Sequence, residues 1–114
     1  MGLDCYFMKA PDKYNDDIID GLHSYFRGKA WRSEIEGITG VSLLQNWIGN
    51  DDVKKMAEAI AKFRLNVGKS MLVARKARRK WAMINYDMAW SELRYLHRMF
   101  SAYAKAGYGL QNSW

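Results

Sequence analysis

Catalysis needs groups that can hold a metal, move a proton or attack a bond, and in this sequence such groups are few and scattered. His23 and His97 are the only histidines, with no His-x-x-x-His pair and no Cys/His/Asp spacing suited to a metal or to a nucleophile with its base. His97 stands between Arg94 and Arg98, whose charges disfavour its protonation, and reads as a surface or edge residue. Cys5 is alone, so it can form neither an intramolecular disulfide nor a multi-cysteine zinc site, and reads as a small buried hydrophobe. The carboxylate pairs Asp16/Asp17 and Asp51/Asp52 both stand at expected helix starts, where capping accounts for them. Asp87 and Glu92 lie among arginines and aromatics and suit interhelical ion pairs. Gly68-Lys69-Ser70 resembles the end of a phosphate-binding loop, but the required glycine five positions earlier is Phe63 and no strand pattern precedes it. That leaves Ser70 as a helix cap and Lys69 beside a helix start. No enzyme activity, catalytic residue, metal or cofactor is expected.

Charge is the more informative signal. Lys69, Arg75, Lys76, Arg78, Arg79 and Lys80 place six cations and no carboxylate in twelve positions. On a helical wheel they cover about 200°, with Val73, Ala77 and Trp81 on the remaining arc. The like-charged pairs Arg75/Arg79 and Lys76/Lys80 each cost a few tenths of a kcal/mol in an isolated helix, so an anionic partner is the expected compensation. Nucleic acid would use such density for phosphate contacts. A nucleotide pocket would use arginines to clamp phosphates and aromatics to stack the base, for which Arg27, Trp31, Arg75, Arg79 and Tyr86 are the right types. An acidic protein surface is a third partner, and Met83, Met99 and Trp90 could line an adaptable protein-binding face. Residues 1–52 hold five Lys/Arg against nine Asp/Glu, and residues 53–114 hold thirteen against three. The two halves could also neutralise each other within the fold or in a homo-oligomer.

The elements that must position these groups read mostly as helices. Gly2 to Met8 forms a short extended strand, and with no second strand evident it must pair with its own copy, remain a loop or pair with nothing regular. Asn15-Asp16-Asp17 starts a helix with Ile18, Leu22 and Phe26 at fourfold spacing. Trp31, Ile35 and Ile38 continue a helical face until Gly37 and Gly40. A short helix follows over Ser42 to Ile48, then an amphipathic one over Asp51 to Leu65 whose stripe is Val53, Met56, Ala57, Ile60 and Phe63. Asn66-Val67-Gly68 provides a turn. From Lys69 no Gly or Pro occurs until Gly107, so the span holds one helix of about 38 residues or two with a bend near Asn85 to Met88. Its apolar stripe turns by about 100° between Val73/Ala77/Trp81/Ile84/Met88 and Ala89/Leu93/Leu96/Phe100/Tyr103, which suits a long central helix buried on two sides. Gly107 to Trp114 reads as a loop. The expected architecture is therefore one mostly α-helical domain over residues 1–114, built around a long C-terminal helix.

The composition, 49% hydrophobic and 14% aromatic in 114 residues, is too apolar for disorder and suffices for a real core. No apolar run approaches a membrane span, and Asp4 precedes any basic residue, so a cytoplasmic protein is expected. The opening Met1-Gly2-Leu3-Asp4-x-Tyr6, followed by Gly21, Tyr25-Phe26-Arg27, Lys29 and a downstream tryptophan, resembles a set of small, uncharacterised bacteriophage and prophage proteins. These begin Met-Gly-Leu-Asp-x-Tyr and carry a Gly-Tyr-Trp/Phe-Arg-Lys segment before a helix. Here three residues separate Gly21 from Tyr25, and Gly28 stands between Arg27 and Lys29. The resemblance implies a viral origin and an accessory role in the host cytoplasm, such as blunting a defence system, and supplies no activity.

Overall fold

The computed structural model describes residues 2–14, 18–76 and 90–114, with the backbone alone for 70–76. Its elements are β1 (Asp4–Met8), β2 (Ile18–Ile19), β3 (Leu22–His23), β4 (Tyr25–Arg27), α1 (Gly28–Thr39), β5 (Trp47–Ile48), α2 (Asn50–Lys76), α3 (Trp90–Lys105) and β6 (Gly109–Ser113). Strands β4, β1, β6 and β5 lie side by side in that order, and β2 with β3 forms a separate hairpin. All pairings are antiparallel. This α+β fold corrects the expectation of a mostly helical domain around a long C-terminal helix.

Three segments carry the correction. The span expected as a helix from Asn15 is, over its described part, two short strands around Asp20-Gly21, both with positive φ (52° and 74°). Asp-Gly with two positive φ values is the tight-hairpin turn whose twist matches the flanking strands. The expected short helix over 42–48 is absent, and Trp47–Ile48 instead forms the sheet's edge strand β5. The tail expected as a loop is β6, which lies between β1 and β5 and supplies the pairing partner that β1 lacked in the sequence. Gly109 makes this possible, because a Cβ there would sit 2.7 Å from the Ile48 carbonyl oxygen and overlap the Trp47 ring.

The long-helix expectation fails on its N-terminal side, while its end before Gly107 holds, with α3 closing at Lys105. The helix begun at Asn50 does not stop at Gly68 but runs on to Lys76, and α3 is a separate helix from Trp90. The bend envisaged over 85–88, and the stripe residues Ala77, Trp81, Ile84 and Met88, lie outside the described residues. The Asn50 side-chain amide donates to the carbonyls of Ala104 (3.0 Å) and Tyr108 (2.9 Å), pinning the start of α2 to the end of α3. Gly68 lies against the Trp90 ring, so the helices run antiparallel and α2 continues for about two turns beyond Trp90.

The helices cover one face of the sheet. Phe7 stacks on Tyr103 (4.8 Å, 7° between planes) and meets Phe100 edge-on (5.1 Å). Leu93, Leu96, Phe100 and Tyr103, the second half of the expected stripe, are all buried there. The Tyr103 hydroxyl donates to the Leu22 carbonyl at 2.6 Å, joining α3 to the β2–β3 hairpin. Gly28 starts α1 in contact with β1, where a Cβ would fall 2.7 Å from the Cys5 sulfur. Helix α1 ends as expected, with Gly40 in the left-handed region (φ 72°) donating to the Glu36 carbonyl.

Candidate binding groove

Helix α2 carries Ala61, Leu65 and Gly68 at spacings of four and three, so they share one face. Across from them α3 presents Trp90 and His97, seven apart and likewise on one face. Together with Arg64 and Lys69 they line a groove of about 530 Å³ between the two helices. Its floor is apolar and its rim cationic. Leu65 is 58% exposed there, a large apolar side chain left in water.

Arg64 organises the rim. Its guanidinium lies over the Trp90 ring at 5.9 Å from the centroid, and its Nη1 is 2.8 Å from His97 Nδ1. Arginine only donates, so Nδ1 accepts and the imidazole proton sits on Nε2. Burial, and then the Arg64 charge, hold His97 below its usual protonation range. The sequence led to the same direction but credited Arg94 and Arg98; the guanidinium at work comes from the other helix.

The expected site residues divide clearly. Lys69 lines the groove. Arg75 and Lys76 close α2 as its last two residues, beyond the groove. Arg78, Arg79, Lys80 and Tyr86 lie outside the described residues. Arg27 does not reach the groove: it is exposed at the end of β4, opposite Asp4 of β1. Trp31 serves packing, since its Nε1 donates to Glu92 at 2.8 Å and its ring lies against Phe26 and Tyr95. Glu92, expected in an ion pair, accepts that indole N–H. Of the residues named for a protein-binding face, Trp90 lines the groove, Met99 is fully buried and Met83 lies outside the described residues. Arg64 and Leu65 were missed, because the stripe of α2 was read from its core side alone. Ala61, Leu65 and Gly68 do form a second, lateral stripe in the sequence, but nothing there marks Arg64, and the stripe acquires its meaning from α3.

Other chemistry finds no anchor among the described residues. No group of three or more His, Cys, Asp or Glu is arranged to hold a metal. Cys5 is buried, and desolvation, then the Asp4 charge, push its thiol up to about 12, far from the reactive thiolate. A second cleft of about 340 Å³ beside β5 and β6 includes Asp12, Tyr14 and Gln111. There Gln111 accepts from the Asp12 backbone and donates to the Asp12 carboxylate and the Tyr14 hydroxyl, so these groups fasten a loop to the sheet. No described helix is long and apolar enough to cross a membrane. Compared with known protein families, curated proteins and solved structures, the chain shows no match.

Proposed function

We propose that the protein is a non-enzymatic binding protein that engages an anionic partner, a nucleotide signal or nucleic acid among them, through the basic half of α2 and the groove it forms with α3. The observation that carries this reading is the polarity of α2. From Ala59 to Lys76 it holds Lys62, Arg64, Lys69, Arg75 and Lys76 and no carboxylate, while Asp51 and Asp52 occupy its first turn. Those two ends are about 37 Å apart along the helix, several screening lengths at physiological salt. Self-neutralisation of the basic end by these acids is therefore weak, and Arg78, Arg79 and Lys80 add to the excess in sequence.

The exposed Leu65 and the Trp90 wall support a second reading, in which the protein covers and inhibits another protein. Action in a host cytoplasm against a defence system is the setting that the bacteriophage resemblance supplies, and it rests on that resemblance alone.

Binding of labelled oligonucleotides, nucleotides and polyglutamate, followed by fluorescence anisotropy at rising salt, tests the reading. A polynucleotide complex should weaken by about three orders of magnitude between 50 and 200 mM salt, and a pocketed nucleotide by far less. Arg75→Glu with Arg79→Glu should abolish either. If the double reversal leaves every anionic probe bound as before, the basic-helix reading is wrong. If it instead dissociates an oligomer in sedimentation, the basic end serves self-association.

A further inference from the structure

We propose that the α2–α3 groove is a docking site for an acidic segment of another protein, one that seats a single apolar anchor beside Leu65 and lays carboxylates on Arg64 and Lys69. The inference rests on the anionic-partner reading and decides which anion fits the groove.

The groove's own chemistry makes that decision. A nucleotide pocket needs a free aromatic face for the base and several convergent donors for the phosphates. Here the Trp90 ring is already covered by the Arg64 guanidinium, which leaves no free aromatic face for a base; Arg64 spends Nη1 on His97 and keeps its other N–H groups for an oxyanion. The floor, Ala61, Leu65 and Gly68, has no polar side-chain atom with which to read a base edge or a ribose. Polar atoms of a nucleotide pressed against it would lose water without replacement, whereas a Leu or Phe side chain would exchange water for contact. An apolar centre rimmed by Arg64 and Lys69 is the complement of an apolar residue flanked by Asp or Glu. Helix-in-groove recognition uses this arrangement, with one side of an amphipathic segment carrying the anchor. Exposure of Leu65 fits as well, since isolated in water it contributes nothing to the core.

The test uses the full chain and a displayed library of random 16-residue peptides, selected on wild-type protein and counter-selected on Leu65→Glu. Leu65 is 58% exposed, so this variant should keep the wild-type circular dichroism and melting profile. Enriched sequences should pair one large apolar residue with two or more carboxylates within a helical turn. A synthetic peptide of that sequence should bind wild type at least ten-fold tighter than Leu65→Glu, and lose as much when its anchor becomes serine. Arg64→Gln should weaken it too, and the peptide complex should perturb the indole signal that disappears in Trp90→Phe. Absence of enrichment, or peptides indifferent to Leu65→Glu, overturns the proposal. So does ADP or a short oligonucleotide that binds wild type and is lost in Leu65→Glu, because the groove would then be a nucleotide site. In that case, or if polyglutamate and oligonucleotides bind through Arg75 and Arg79 while no peptide is enriched, the broader reading survives and the groove assignment alone fails. Enriched peptides that lack acidic residues would count against both.

Discussion

Burial first, and then the charge of Arg64, keep His97 neutral in the fold. Because the guanidinium can only donate, the 2.8 Å contact requires neutral His97, and the same positive charge opposes its protonation. The folded chain therefore holds this proton less readily than the unfolded chain, whose histidine titrates at its ordinary value of 6.5. With the unfolded state binding more protons, stability rises with pH across that window. The contribution is fully present above 6.5 and is lost as pH falls from there through the lowered folded value. Melting temperatures from pH 8 to pH 5 check this against His97→Gln, which can accept from Arg64 and does not titrate. Wild type should lose more on acidification than the variant, and His23, present in both, cancels in the difference. Equal losses would mean that His97 is neither buried nor held beside the Arg64 charge in solution.

Among the elements, α2 makes the most specific claim, that it passes through Gly68 without interruption. A glycine inside a helix costs about 1 kcal/mol relative to alanine. A Cβ at Gly68 would meet the Trp90 ring at 3.5 Å, an ordinary contact. Gly68→Ala should therefore stabilise the protein by about 0.5–1 kcal/mol in urea denaturation. Were residues 66–68 a turn instead, as Asn66-Val67-Gly68 suggests in isolation, alanine would gain nothing or destabilise. What was legible at this level was side-chain periodicity: the faces of α1, the first half of α2 and α3 all appear in the spacing of apolar residues. Of the two stripes read on either side of Met88, the second is the buried face of α3 from Leu93 to Tyr103, while Ala77, Trp81, Ile84 and Met88 of the first lie outside the described residues. The strands after β1 were hidden because three of the six among the described residues have two residues, too short for alternation to show. Gly2 to Met8 was read as a strand and contains β1, whereas Asp20-Gly21, a hairpin-turn pair, lay hidden under the fourfold spacing of Ile18, Leu22 and Phe26. The groove was half legible: Lys69 and Trp90 stood out, while Arg64 and Leu65 acquire meaning only when α3 lies beside them.

At the scale of the whole molecule, the fold is closed by its two ends. Strand β6 lies between β1 and β5, with Asp4 opposite Ser113 and Met8 opposite Gly109, so the centre of the sheet joins residues from opposite ends of the sequence. It buries Leu110 completely and seats Asn112, whose side-chain amide donates to the Gln45 carbonyl at 3.1 Å and whose backbone amide donates to Asn46. Removing residues 109–114 would therefore leave β1 paired only to β4, strip β5 of its partner and expose the buried apolar faces of both. Such losses exceed the few kcal/mol by which a domain of this size is ordinarily stable. The truncated chain should show no cooperative unfolding transition and no near-ultraviolet circular dichroism from its packed aromatics. Much of α2 and α3 should persist in the far ultraviolet, because their local hydrogen bonds do not depend on β6. Cooperative melting of the truncated chain would mean that the helices form a core without the sheet. The groove would then belong to a helical pair able to stand alone, and the basic half of α2 would not need the sheet as its base.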